Sequence, residues 1–164
     1  MKVLVTGGLG FIGSHTVVEL QNKGFDVVII DNQSNATSKI VEAIESITGV
    51  KPEYHNIDLK NKLQVVSFFE KHPNIIGTIH FAASKAVGES VENPLMYYEN
   101  NINALVYLLQ EINQLEQPNL IFSSSCTVYG QADKMPIDES APIKKAESPY
   151  AKTKQMGDEI LEDF

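Results

Sequence analysis

KVLVTGGLGFIGSHT, residues 2–16, gives the clearest indication of how this chain folds. An apolar run typical of a buried strand is followed by four glycines in seven positions, Gly7, Gly8, Gly10 and Gly13, and then by a helical pattern. Glycine allows a positive φ in a tight turn and the close approach of another group to the backbone. Because these glycines lie between a strand and a helix, they predict a turn that presents bare backbone to a phosphate group.

Apolar runs and helical patterns alternate along the rest of the chain. The first helical pattern ends at Gly24, a second ends near Gly49, and Val65, Val66 and Phe69 indicate a third. The runs that predict strands are KVLVT (2–6), DVVII (26–30), EYHNI (53–57), TIHFAA (78–83) and NLIFSS (119–124). This order predicts an α/β fold, a Rossmann-like doubly wound parallel sheet with strand order 3-2-1-4-5.

Two later helices have clear starting signals. Asn93 and Pro94 are typical of an N-cap and a first helical position, and they predict a long helix over 94–116. Ser148 and Pro149 predict a last helix over 149–164 in the same way. Residues 126–148 show no periodicity, which is typical of a functional loop when so long a stretch lies inside a domain. The apolar stripe of the long helix is Tyr98, Ile102, Leu105, Leu109 and Ile112.

Composition narrows the class of protein. The chain has 164 residues, which favours a single domain over 1–164, and a formal net charge of -8. That charge repels nucleic acid and anionic membranes, so we expect neither as a partner. No apolar run is long enough to span a membrane, and the N-terminus does not resemble a signal peptide. The one cysteine, Cys126, cannot form an internal disulfide, and a reducing cytoplasm is the expected location.

The glycine turn predicts a dinucleotide site when it is combined with the next strand. Gly10 would let a pyrophosphate approach the backbone, and Gly13 would let the helix lie close to the sheet. The second strand ends at Asp31, twenty-one residues after Gly10. A carboxylate there accepts hydrogen bonds from both ribose hydroxyls and repels a 2′-phosphate, which favours NAD over NADP. The alternatives are a glycine-rich turn without a ligand and an aspartate that only caps a strand end.

A second pattern indicates acid–base chemistry. Tyr150 and Lys154 are four residues apart in the last predicted helix, so they lie on one face, about one turn apart. A lysine ammonium near a phenol stabilises the phenolate, which can then remove a proton from a sugar hydroxyl. Ser125 follows the fifth strand, at the sheet edge where ligands bind. The alternatives are an exposed tyrosine with a solvated lysine, and a serine that hydrogen-bonds its own loop.

Longer motifs make the chain resemble a known family. They are IHFAASKAVGESVENPL (79–95), YYENNINA (97–104), FSSSCTVYG (122–130) and ESPYAKTK (147–154), together with the glycine turn. The chain resembles the extended short-chain dehydrogenase/reductases, and within them the 4-epimerases of UDP-hexoses. The resemblance implies an isomerase that interconverts UDP-galactose and UDP-glucose through a transient 4-keto sugar and tightly bound NAD.

The resemblance also implies roles for individual residues. Those expected to bind the pyrophosphate and adenosine parts of NAD are Gly7, Gly10, Phe11, Ile12, Gly13, Asp31, Asn32, Asn35, Asp58 and Leu59. Those expected near the nicotinamide and its ribose are Phe81, Ala82, Lys85, Asn100, Tyr150 and Lys154. The expected catalytic residues are Ser125, Tyr150 and Lys154, and the expected substrate-binding residues are Ser125, Thr127 and Tyr150. From the residues alone, Lys85 could be a solvated loop lysine, and Asn100, Asn101 and Asn103 could lie on the solvent-exposed face of a helix.

Several functional alternatives stay open. Sugar-nucleotide dehydratases of this family usually carry an Asp-Glu pair where this chain has Cys126 and Thr127, so the resemblance favours epimerisation. A UDP-uronate epimerase, a dehydratase and a non-catalytic NAD-binding module remain alternatives. His15, His55 and His72 show no metal-ligand spacing, and His80 lies within an apolar strand, so we expect no metal.

The end of the chain indicates a longer protein. The last predicted helix has carboxylates in its C-terminal half, where the helix dipole disfavours them, and no glycine cap. The resemblance implies a chain about twice as long, whose C-terminal substrate domain is absent from this sequence. We therefore expect an N-terminal fragment that is weak or inactive alone. The resemblance further implies a homodimer formed through the helices 94–116 and 149–164.

Overall fold

The computed structural model describes residues 1–164, which divide into two compact units. The first unit comprises residues 1–83 and 106–123 and contains a five-stranded parallel sheet. Its strands are β1 (Lys2–Thr6), β2 (Asp26–Asp31), β3 (Glu53–Asn56), β4 (Ile75–His80) and β5 (Leu120–Phe122). The strand order β3-β2-β1-β4-β5 confirms the predicted order and the Rossmann-like α/β fold. The prediction of one domain over 1–164 stays a prediction.

The predicted fourth and fifth strands were too long at their carboxyl ends. The ladder beside β1 closes with the Phe81 N–H, which donates to the Thr6 carbonyl at 3.0 Å. The ladder beside β4 closes with the Ser123 N–H, which donates to the His80 carbonyl at 3.2 Å. Residues 81–83 and 123–124 therefore leave the sheet at its carboxyl edge, where parallel α/β sheets bind ligands.

Helices α1 (Phe11–Asn22), α2 (Lys39–Thr48) and α3 (Lys62–Lys71) belong to the first unit. Gly13 and Val17 are the buried residues of α1, and Val17 belongs to a core cluster that includes Val5, Ile29 and Ile44. The central strands β1 and β2 are almost wholly buried, as expected for parallel strands covered on both faces. His80 is also buried and its Nδ1 lies 2.6 Å from the Thr6 hydroxyl oxygen, which confirms it as a packed core residue.

The second unit comprises residues 84–105 and 124–164. It contains α4 (Val87–Glu92), α5 (Pro94–Tyr98), a π-helical segment (Glu99–Asn103), a 3-10 turn (Cys126–Tyr129) and α7 (Pro149–Asp163). Ser148 caps α7 as predicted, since its Oγ accepts a hydrogen bond from the Ala151 N–H at 3.1 Å. No helix combines the length and the apolar character that crossing a membrane would require.

The prediction of one continuous helix over 94–116 is wrong, because the helix is interrupted and ends earlier than predicted. The π-helical segment separates α5 from α6 (Ala104–Ile112), and the helix ends at Ile112. Tyr97 and Asn101 are buried, whereas the predicted stripe residues Tyr98 and Ile102 are only half-buried. A π turn contains more residues than an α turn, so it rotates the inward face by about one position. The predicted stripe is correct only after the π segment, from Leu105 onward.

The irregular stretch predicted over 126–148 is confirmed apart from its opening 3-10 turn. Gln155 of α7 fixes part of this loop, because its side-chain amide donates to the Val128 carbonyl at 2.8 Å and to the Lys144 carbonyl at 2.5 Å. Gln155 is 6% exposed, so these two hydrogen bonds are shielded from water. The loop therefore has a defined path although it forms no sheet or long helix.

Candidate active site

The turn after β1 requires glycine at two positions. Gly7 has a φ of +69°, and a Cβ there would lie 2.7 Å from the Ala82 nitrogen. A Cβ on Gly13 would overlap the carbonyl oxygen of Gly7. The Gly10 N–H donates to that same carbonyl at 3.1 Å, which closes the turn. The positive φ and the close helix approach are those that the sequence predicted for the first and last glycines.

The start of α1 provides donors for an anion. The first hydrogen bond of the helix runs from the Ser14 N–H to the Gly10 carbonyl at 2.9 Å, so the N–H groups of Phe11, Ile12 and Gly13 lack intrahelical acceptors. A Cβ on Gly10 would meet only the Gly7 carbonyl oxygen, at 3.2 Å, which leaves its outer side open. Phe11 is 79% exposed and Ile12 is 59% exposed. These features fit a pyrophosphate at a helix N-terminus.

Asp31 binds the glycine turn as well as ending β2. Its Oδ2 accepts a hydrogen bond from the Leu9 N–H at 3.1 Å, and its Oδ1 accepts one from the Gln33 N–H at 2.8 Å. Each carboxylate oxygen has a further lone pair that a ribose hydroxyl could use. The sequence indicated the ribose role but gave no sign that Asp31 also holds the turn in place.

The other predicted adenosine residues follow neighbouring strands of the first unit. Asn32 is half-buried and its Oδ1 accepts from the Ser34 N–H at 3.0 Å, whereas Asn35 is exposed. Asp58 follows β3, and its Oδ1 accepts from the Lys60 N–H at 2.9 Å. Leu59 is buried, so little of its side chain is free to contact a base. The ligand roles of these residues stay predictions.

Helix α7 carries the predicted tyrosine and lysine in different environments. Lys154 is 5% exposed. Burial lowers the pKa of its ammonium to about 8, against the opposing charge of Asp158. Tyr150 is half-buried, and its ring lies edge-on to Tyr97 with 6.5 Å between centroids. The alternative of a solvated lysine is therefore wrong for Lys154, because its side chain is buried.

The predicted hydroxyl groups also lie together in the second unit. Ser125 Oγ lies 2.9 Å from Thr127 Oγ1 and accepts a hydrogen bond from the Thr127 N–H at 3.2 Å. Ser125 thus caps the 3-10 turn, as the structural alternative expected. A serine hydroxyl can donate its proton while it accepts at the oxygen, so this cap leaves it able to bind a substrate hydroxyl.

Asn101 is a positioning residue that the sequence analysis missed. Its side-chain oxygen accepts from the Ser84 N–H at 2.9 Å, and its amide nitrogen donates to the Ser84 carbonyl at 2.9 Å and to Thr153 Oγ1 at 3.0 Å. It is 6% exposed, so the alternative that Asn101 lies on the solvent-exposed face of a helix is wrong. The π segment turns it inward, a change that periodicity could not reveal.

Two predicted nicotinamide residues flank this contact. Asn100 donates from its amide nitrogen to Ser84 Oγ at 3.0 Å, and Lys85 is exposed directly after Ser84. The hydrogen bonds of Asn101 thus fix the backbone next to Lys85. In the first unit, Phe81 and Ala82 follow β4, with the Ala82 backbone against Gly7. The cofactor contacts of all four residues stay predictions.

Tyr97 does not have the properties of an acid–base residue. It is fully buried, and its hydroxyl lies 2.8 Å from the Ala86 carbonyl and 2.7 Å from Glu89 Oε2. Burial, together with the carboxylate of Glu89, raises the pKa of its phenol to about 12. Tyr97 therefore stays neutral and joins α5 to α4.

The chain is similar to nucleotide-sugar enzymes over nearly its whole length. The family model described as GDP-mannose 4,6 dehydratase matches residues 4–164. A UDP-glucose 4-epimerase of Yersinia pestis is 47% identical over 163 residues, which are 99% of this chain and 48% of that protein. One of Dictyostelium discoideum is 45% identical over 99% of this chain and 47% of that protein. The chain spans about half the length of these relatives.

Solved structures of epimerases share the fold. A UDP-glucose 4-epimerase from Bifidobacterium longum, in complex with NAD+ and UDP, matches with a TM-score of 0.93 and 42% identity over 99% of this chain and 48% of that chain. One from Brucella ovis, in complex with NAD, has a TM-score of 0.88 and 37% identity over 99% of this chain and 47% of that chain. The resemblance to the extended short-chain dehydrogenase/reductases is confirmed. Since the family model matches from the first strand to the last residue, this chain belongs to the GDP-mannose 4,6 dehydratase family of extended short-chain dehydrogenase/reductases.

Proposed function

We propose that this chain carries the NAD-binding and catalytic residues of a UDP-glucose 4-epimerase, an isomerase of nucleotide sugars. One observation carries the proposal. UDP-glucose 4-epimerases from eight organisms are 42–47% identical to this chain over 98–100% of its length. The tyrosine, lysine and serine that the chemistry needs are present at matching motif positions.

The first unit supports NAD as the cofactor. The bare turn at Gly7 and Gly10 and the free N–H groups of α1 fit a pyrophosphate, and Asp31 fits a ribose diol better than a 2′-phosphate. When bound, NAD would supply the hydride chemistry that inversion at C4 of the hexose requires. Phe81, Ala82, Lys85 and Asn100 are the residues proposed to hold its nicotinamide half.

The second unit supports the proton transfer. The Tyr150 phenolate would take the proton of the sugar 4-hydroxyl and later return it to the oxygen of the 4-keto group as the inverted alcohol forms, with Ser125 Oγ between the phenolate and the sugar. With a pKa of about 8, Lys154 is mostly protonated at pH 7, and its charge would favour the phenolate. Thr127 supports Ser125 through the 2.9 Å contact between their hydroxyl oxygens, and would lie near the sugar.

Dehydration is the second reaction that the family model raises. Eliminating water from a hexose needs an acid and a base near the departing hydroxyl. The chain has Cys126 and Thr127 where related sugar-nucleotide dehydratases are expected to carry an Asp-Glu pair, and neither residue is a carboxylic acid. This difference supports epimerisation over dehydration. A UDP-uronate epimerase stays an alternative, since it would differ only in its substrate.

The test begins with the cofactor. Acid denaturation of the purified chain should release about one NAD per chain, and a Gly13→Ala variant should release much less. UDP-galactose is then supplied to the chain alone and to the chain mixed with the C-terminal half of a relative. The proposal expects UDP-glucose in at least the second mixture, and loss of more than about a hundredfold in rate for Tyr150→Phe.

Tyr129→Phe, in the same unit, is the matched control and should keep the rate. A keto-sugar product would replace the proposal with a dehydratase. Turnover of UDP-glucuronate in place of UDP-galactose would replace it with a uronate epimerase. NAD release without any turnover in either mixture would leave a binding module.

A homodimer through the helices of 94–116 and 149–164 belongs to the same proposal. Leu95 of α5, within the first of these segments, is 80% exposed, so it offers an apolar side chain that a partner helix could cover. Light scattering should give twice the chain mass, and Leu95→Glu should reduce the measured mass to that of the monomer.

A cytoplasmic location is proposed because the chain has a single cysteine and so cannot form an internal disulfide.

A further inference from the structure

Two histidines and a glutamate meet at one end of the first unit. Glu53 and His55 are two residues apart on β3 and so project from the same face of the strand. His72 directly follows α3. The Nε2 atoms of both histidines lie 2.8 Å from Glu53 Oε1. One carboxylate oxygen and two imidazole nitrogens, from β3 and from the end of α3, therefore lie within 4.8 Å of one another.

The contacts of His72 require a proton or a metal cation between its Nε2 atom and the Glu53 carboxylate. Its Nδ1 lies 2.7 Å from the Phe68 carbonyl, which can only accept, so the proton is on Nδ1. Nε2 of a neutral His72 then presents a lone pair to the Glu53 carboxylate. Two acceptors at 2.8 Å are stable only if a proton or a metal cation lies between them.

The surroundings favour metal coordination. A carbonyl that accepts from the second nitrogen of a histidine is the usual partner of a metal-bound imidazole, since it fixes the tautomer and orients the ring. Phe68 stacks on His72 with centroids 4.2 Å apart, and it meets His55 edge-on at 5.1 Å. The side chain of His72 is 10% exposed and that of His55 is 32% exposed, so one side of the cluster is open to water.

Glu53 is available as an ionised ligand. Its carboxylate forms an ion pair with the Lys2 ammonium. Lys2 contacts Oε2 at 2.7 Å, which leaves Oε1 for the two histidines. Lys2 therefore holds the carboxylate through Oε2, while Oε1 points to the two histidines.

We propose that Glu53, His55 and His72 bind a divalent transition-metal ion of the zinc class, through Glu53 Oε1 and the two Nε2 atoms, with water as the fourth ligand. Two imidazoles and one carboxylate suit Zn²⁺ better than Mg²⁺ or Ca²⁺, which prefer oxygen. Tetrahedral coordination at about 2 Å places ligand atoms about 3.3 Å apart, so each nitrogen–oxygen distance would lengthen by roughly half an ångström from its hydrogen-bonded value of 2.8 Å.

The position of the cluster indicates a structural role for the metal. Glu53 is the first residue of β3, and its partner Lys2 is the first residue of β1, so the cluster lies at the amino ends of the strands. The glycine turn follows the carboxyl end of β1. β3 is an edge strand that pairs only with β2, and the metal would join it to the end of α3. The inference is independent of the proposed reaction and departs from the expectation of no metal.

The test uses the purified chain after treatment with EDTA and removal of the chelator. Titration calorimetry with Zn²⁺ should give about one ion per chain, and saturating Zn²⁺ should raise the melting temperature. His72→Gln and His55→Gln should each weaken Zn²⁺ binding by at least about tenfold. His15→Gln is the matched control, because His15 is an exposed histidine in the same unit, and it should bind Zn²⁺ like the wild type.

A second measurement needs no variant that could misfold. Co²⁺ added to the metal-free wild type should produce the visible absorption of a tetrahedral nitrogen–oxygen site, and Zn²⁺ should displace it. No Zn²⁺ binding at about 100 μM, or binding that both His→Gln variants retain, would overturn the proposal. An octahedral Co²⁺ spectrum would overturn it too, since it would indicate nonspecific binding. The cluster would then be an ion-pair network of protonated histidines.

Discussion

Replacing Lys154 with methionine should stabilise the chain at pH 7, although Lys154 belongs to the proposed catalytic set. Lys154 is 5% exposed, and burial lowers the pKa of its ammonium from 10.5 to about 8. One pKa unit corresponds to ~1.4 kcal/mol, so keeping the charged form in the folded state costs about 3 kcal/mol at pH 7. Methionine has a similar length and no charge to desolvate, so much of this cost should disappear.

The same shift fixes the sign of the pH dependence. The folded pKa of Lys154 lies below the unfolded one, so between about pH 8 and 10.5 the unfolded chain binds more protons than the folded chain. The free energy of unfolding must therefore rise with pH in this window. Between pH 7 and pH 9 the wild type should gain about 1 kcal/mol relative to Lys154→Met.

Urea unfolding followed by circular dichroism at pH 7 and pH 9 measures both effects. Lys152→Met, two residues earlier on α7 where the lysine is only half-buried, is the matched control and should change neither quantity by much. A Lys154→Met variant less stable than the wild type at pH 7, with an unchanged difference at pH 9, would refute the argument. It would mean that the ammonium is fully compensated by its partners.

Three further substitutions test individual contacts. Gly13→Ala places a methyl group against the Gly7 carbonyl and should lower NAD retention by more than about tenfold. Gly88→Ala is the control, because Gly88 has open space around it, and should retain NAD like the wild type. Equal NAD retention by the two variants would contradict the proposed role of Gly13 in the turn. Asn101→Leu should lower the free energy of unfolding by about 2 kcal/mol by leaving the Ser84 amide unpaired, whereas Asn103→Leu, on an exposed position, should cost little in urea melts. Asp31→Asn should narrow the preference for NAD over NADP by about tenfold in binding titrations, and an unchanged ratio would remove Asp31 from cofactor selection.

Much of the fold follows from local sequence signals. The apolar runs, the glycine turn and the Ser148-Pro149 helix start specify backbone geometry over a few residues, so the strand order and α7 were predicted correctly. The need for glycine at Gly7 was also visible, since a positive φ in a strand-to-helix turn is a local property.

Short spacings along the chain were enough to predict the parallel sheet, the glycine turn and the tyrosine–lysine pair. Which polar groups are buried became visible only in the folded structure. The π segment that turns Asn101 inward, the desolvation of Lys154 and the meeting of Glu53 with His72 depend on residues distant in sequence. Burial and hydrogen-bond partners are set by packing between elements, and packing energies exceed the local preferences that a sequence pattern records.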